Sequence, residues 1–109
     1  MSINAFNPQG NTVTFTANIA APTAVQAVSS GPQTDAYRII NSGTVTVFLG
    51  VGANATAANT NAVVISGNAA SVPLLPGTDE ILIFAPGSYF TGITSAGTAV
   101  VYVTPGEGL

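Results

Sequence analysis

Turn signals fall at almost equal intervals through the last third of the chain, and they constrain the fold more than any other feature. Pro76-Gly77, Pro86-Gly87, Ala96-Gly97 and Pro105-Gly106 place glycine at positions 77, 87, 97 and 106. Proline presets the first φ of a type II turn and glycine accepts the positive second one, so Pro-Gly marks a chain reversal. Such intervals leave no room for crossover helices. The runs between the turns, residues 80–85, 89–94 and 98–103, are rich in the β-branched and aromatic residues that fit a pleated surface. The spacing predicts a meander of consecutive antiparallel strands over residues 75–104.

Upstream, Val13, Phe15, Ala17 and Ile19 alternate with Thr12, Thr14, Thr16 and Asn18, the pattern of a half-buried strand. Residues 23–29 read as a shorter strand, with a short helix as the alternative. Residues 37–40 and 45–51 flank Asn41-Ser42-Gly43-Thr44, turn chemistry that predicts a hairpin. Residues 52–61 are small, polar and aperiodic, which predicts the longest exposed loop, although the alanines permit a turn of helix. Residues 62–65 read as a short strand. Pro73 cannot donate to a ladder, so the segment 71–75 belongs at a sheet edge. These runs predict an all-β fold, an antiparallel β-sandwich or jelly roll of eight or nine short strands. Residues 1–11 read as an N-terminal arm, 12–105 as a single β-sandwich domain and 106–109 as a C-terminal tail.

Composition narrows the function classes. Among 109 residues there is no cysteine and no histidine, and Arg38 is the sole side-chain cation against Asp35, Asp79, Glu80 and Glu107. Disulfides, thiolate metal sites and a cysteine nucleophile are therefore excluded, and a hydrolytic triad lacks its base. Displacing counterions from phosphates takes several Lys or Arg, so neither nucleic acid nor an anionic membrane is an expected partner. The first residues show neither the basic nor the apolar region of a secretory signal, and the apolar runs are far shorter than the ~20 residues of a spanning helix. Asp79-Glu80 is the only carboxylate pair, and adjacent strand residues point to opposite faces. It reads as turn residues plus an edge charge, not as an acid–base pair. No calcium-loop or phosphate-loop spacing is present. The chain is expected to be non-enzymatic, with no cofactor and no metal.

Charged residues make up only 5% of the sequence, against about 25% in ordinary soluble domains. A chain so poor in charge lacks the self-repulsion that keeps monomers apart. Strand 80–85 adds to this, being apolar on both faces: Ile81, Ile83 and Ala85 on one, Leu82 and Phe84 on the other. A sandwich strand ordinarily shows one wet face, so something must cover the second. A subunit interface answers this, and so does the N-terminal arm or a loop folded over that face. Tyr102, beside Val100 on the outer side of the last strand, raises the same question. Ile3 and Phe6 are the apolar anchors of the arm. Candidate contacts with a second copy or another partner are therefore Ile3, Phe6, Leu82, Phe84 and Tyr102.

The run Tyr37-Arg38-Ile39-Ile40-Asn41-Ser42-Gly43-Thr44, the turn Leu74-Leu75-Pro76-Gly77-Thr78, and the ending from Ala96 to Leu109 resemble small structural proteins of tailed bacteriophages. The likeness is greatest to the cement, or head-decoration, proteins that coat the capsid. It covers residues 37–109 and rests on turn and strand patterns, carrying no catalytic residue across. The resemblance implies a virion protein on the capsid exterior, assembled in the host cytoplasm, that binds and stabilises the major capsid protein lattice. It also implies association with copies of itself as a homodimer or homotrimer. A receptor- or glycan-binding β-module of a phage fibre or tail is the alternative expectation.

Overall fold

A computed structural model describes residues 6–29 and 35–107. The chain forms β1 (Asn7–Pro8), β2 (Val13–Ala17), β3 (Val25–Gln26), β4 (Ala36–Asn41), β5 (Val47–Gly52), α1 (Ala55–Asn61), β6 (Val72–Leu74), β7 (Asp79–Ile83), β8 (Tyr89–Ile93) and β9 (Ala99–Glu107). Two antiparallel sheets pack together as the expected all-β sandwich. In one, β9 lies between β4 and the pair β1 and β2, and β7 forms the edge beyond β4; the other runs β3-β8-β5-β6. Pro73 stands in the edge strand β6, as its missing N–H requires.

The pairings nest. β2 pairs with β9, β3 with β8, β4 with β7 and β5 with β6, all antiparallel. The chain is thus one long hairpin with its tip between β5 and β6. Further ladders, β4 with β9 and β5 with β8, roll that hairpin into two sheets.

This arrangement corrects the meander. The turns form where expected: Gly77, Gly87 and Gly97 take φ of 74°, 77° and 78°. The amides of Thr78 and Ser88 donate to the carbonyls of Leu75 and Ala85 at 3.0 and 3.2 Å, closing four-residue turns around Pro-Gly. Yet β7, β8 and β9 are not neighbours, because each turn carries the chain across to the opposite sheet. A turn fixes the reversal, while the partner is chosen by the longer ladders, such as β4 along β9 from Ala36↔Gly106 to Asn41↔Val101. Gly106, expected in a turn, is buried inside β9.

The hairpin expected at residues 41–44 is likewise a crossing, since β4 and β5 belong to different sheets. Gly43 does not take the positive φ of a tight hairpin. Instead the buried Asn41 holds the connection. Its side-chain amide donates to the carbonyls of Val45, Leu74 and Leu75 at 3.0, 2.9 and 3.3 Å, and its Oδ1 accepts from the Gly43 amide at 3.0 Å.

Two local expectations also change. Part of the loop at 52–61 is helix α1, started by Asn54, whose Oδ1 accepts from the Ala57 amide at 2.8 Å. Residues 62–65 form no strand: Ala62 caps α1, and Val63, Val64 and Ile65 continue as exposed irregular chain. Strand pairing also runs across positions 11 and 106, since Asn7 and Pro8 of the arm pair with Glu107 and Gly106.

Inside the sandwich, Phe15, Tyr37, Ile39, Val47, Leu49, Leu74, Phe90, Val101 and Val103 form one buried cluster. The outer face of the second sheet is covered by its own chain. A Cβ on Gly50 would collide with the Ala58 carbonyl, and one on Gly52 with the Ala58 amide, so these glycines are what lets α1 lie against β5. Thr91 on the same sheet is fully buried and donates to the Pro22 carbonyl at 2.8 Å.

Candidate functional site

Among the described residues, the sheet β2-β9-β4-β7 has no such cover over most of its outer face. Strand alternation directs Val13, Phe15, Tyr37, Ile39, Val101 and Val103 inward, leaving Thr14, Arg38, Ile40, Tyr102, Asp79, Ile81 and Ile83 outward. The register sets these in rows. Thr14, Tyr102, Ile40 and Asp79 stand side by side across four strands, and Thr104, Arg38 and Ile81 form the next row. Thr12 and Thr104 share a hydroxyl hydrogen bond of 2.7 Å at the β2 side.

Arg38 is neutralised within the face. Its Nε donates to Asp79 Oδ1 at 2.9 Å and its Nη2 to Oδ2 at 2.5 Å, a two-pronged pair between adjacent strands. That hydrogen bonding, more than the opposite charge, holds the Asp79 carboxyl below the usual carboxylate range and raises Arg38. Both side chains are about half exposed, so the pair adds little to stability. Its effect is to leave the face nearly without net charge.

The expected contact residues divide. Tyr102 does stand outward, 41% exposed at the middle of the face. Phe6 docks on the same sheet: a Cβ on Gly106 would strike its ring, and Phe6, Pro8, Arg38, Asp79 and Ile81 line a shallow groove beside it. The arm therefore covers one corner of the face. Ile3 lies outside the described residues. Leu82 and Phe84 turn inward against the core, and the Phe84 ring sits 6.2 Å from Tyr37 and 5.8 Å from Phe90, centroid to centroid. The outward side of β7 is the Ile81 and Ile83 side, and Ile83 is 71% exposed. This corrects the expectation from sequence, which took Leu82 and Phe84 as the contact residues of this strand. Charge could not mark the wet face, because Asp79 shares its parity with Ile81 and Ile83 while the adjacent Glu80 shares that of Leu82 and Phe84.

At one end of the sandwich a cavity of about 360 Å³ opens between Val51, Val72, Phe84 and the 85–88 turn. Its hydroxyl group, on Ser88, donates to the Ala85 carbonyl at 2.5 Å and so is already engaged. Among the described residues, no three His, Cys, Asp or Glu side chains gather as a metal site, and no helix is long and apolar enough to cross a membrane. No family model, curated protein or solved structure matches the chain.

Proposed function

We propose that this protein is a non-enzymatic structural component of a virion, a capsid cement protein that binds and stabilises the major capsid protein lattice from outside. One observation carries the reading: a sheet face, left uncovered by the described residues, on which Ile40, Ile81, Ile83 and Tyr102 surround a single internally neutralised ion pair. Isolated exposed apolar residues need no explanation, but a contiguous set on one flat face is what a protein partner covers. The nested strand pairing, β2 to β9 inward to β5 and β6, supports reading the sandwich as a jelly roll, an architecture used in viral coats. The partners are the major capsid protein and further copies of this chain.

Cosedimentation with expanded heads of a tailed phage tests the proposal. The protein should pellet with the heads, and Tyr102→Asp, a change on the exposed face, should abolish this while the circular dichroism spectrum stays unchanged. Failure to bind any expanded head, or unimpaired binding by the variant, would overturn it.

A further inference from the structure

The sheet that carries this face ends in the edge strand β7. β7 pairs with β4 on one side only. The amide of Asn41 donates to the Thr78 carbonyl and that of Phe84 to the Asp35 carbonyl, both at 2.9 Å, and the register pairs Ile39 with Glu80 and Tyr37 with Leu82 between them. In an antiparallel ladder, bonded and non-bonded pairs alternate. Thr78, Glu80, Leu82 and Phe84 therefore direct their backbone groups toward β4. Asp79, Ile81 and Ile83 direct theirs away, and no partner for those groups occurs among the described residues. The same three residues carry the outward side chains, including the highly exposed Ile83.

We propose that β7 pairs antiparallel with β7 of a second copy, about a two-fold axis at Ile81, joining two sheets into one. This deepens the self-association of the reading above by naming the strand and its register. Charge selects both occupant and centre. With Ile81 opposite Ile81, each Asp79 faces the other copy's Ile83, so the two carboxylates stay about 13 Å apart at ~3.4 Å per residue. Each also keeps its own Arg38. Glu80 faces Leu82, so no like charges oppose each other. The pairing satisfies the amide and carbonyl of all three free residues on both copies, and sets Ile81 and Ile83 of the two copies together on the outer face.

A chain without cysteine makes the register directly testable. In this pairing the two residues at position 81 stand about 5.5 Å apart between Cα atoms, within disulfide reach, and those at 83 do not. Ile81→Cys should therefore oxidise to a covalent dimer, and Ile83→Cys should not. Ile81→Pro removes only an N–H that points away from β4, so it should keep the fold and raise the dimer dissociation constant by about tenfold or more in analytical ultracentrifugation. A wild-type chain that sediments as a monomer at every concentration overturns both this pairing and self-association. An oligomer that cross-links equally at 81 and 83, or ignores Ile81→Pro, overturns the β7 pairing and leaves self-association standing.

Discussion

Asn41 carries more structural consequence than any other polar side chain described. It is fully buried, and its amide bridges the β4–β5 crossing to the end of β6. Replacing it with alanine strands buried carbonyls and opens a void, which should lower unfolding free energy by about 2–3 kcal/mol in denaturant titration. Asn41→Asp keeps the acceptor for the Gly43 amide but turns a carboxylate toward three carbonyl oxygens. It should be the worse variant at pH 7 and recover as the pH falls and the new carboxyl protonates. Asp79 gives the opposite pH response. Its folded pKa lies below the ordinary carboxylate value, so its contribution is present above the unfolded value of about 3.9 and disappears as pH falls through the folded one. Thermal melts of wild type and Asp79→Asn should differ slightly at pH 7 and converge in acid. A gap that persists below the carboxylate range would mean that something other than the Arg38 pairing stabilises that corner.

At the scale of elements, strands and turns were legible and their partners were not. Val13, Phe15 and Ala17 announced β2 by alternation, and Pro76-Gly77 and Pro86-Gly87 announced their turns. Local chemistry decides both features. Pairing is decided elsewhere: the turn at Gly87 is compatible with a hairpin, yet β8 binds β5, whose residues lie far away in the sequence. Helix α1 was hidden for a related reason. Its seven residues, all alanine, asparagine or threonine, show no apolar stripe, because a helix resting on bare glycine backbone has no need of large side chains. Gly50→Ala tests that account. The added methyl would meet the Ala58 carbonyl and the Ala62 amide, backbone atoms that cannot swing aside, so a loss of about 2 kcal/mol is expected. Gly67→Ala has a different cost. Gly67 has open space around its Cα but a φ of 90°, so alanine there should lose only about 1 kcal/mol, from backbone strain alone.

The whole molecule is organised by an asymmetry between its two outer faces. One is closed by α1 and by the segment around Pro22; among the described residues, the other is covered only at the corner where Phe6 rests on Gly106. With Arg38 the only side-chain cation in the chain, and already paired to Asp79, the uncovered face has little free charge to offer a partner. The capsid interface proposed for this face would therefore rely on apolar contact, strand-edge hydrogen bonds and excluded water. Screening acts on separated charges and leaves those forces nearly untouched, and raising salt from 0.05 to 1 M shortens the Debye length several-fold, to about 3 Å. Binding to expanded heads should change by less than about threefold across that range, well below the loss of an interface held by several ion pairs. Truncation separates the two parts of the arm. Removing residues 1–5 leaves Phe6 and β1 in place, whereas removing residues 1–10 takes away the ring over Gly106 and the pairing of Asn7 and Pro8 with Glu107 and Gly106. The longer deletion should thus lower the melting temperature as well as binding. A steep fall in head binding with added salt would show that charges on the capsid grip some other surface of the molecule.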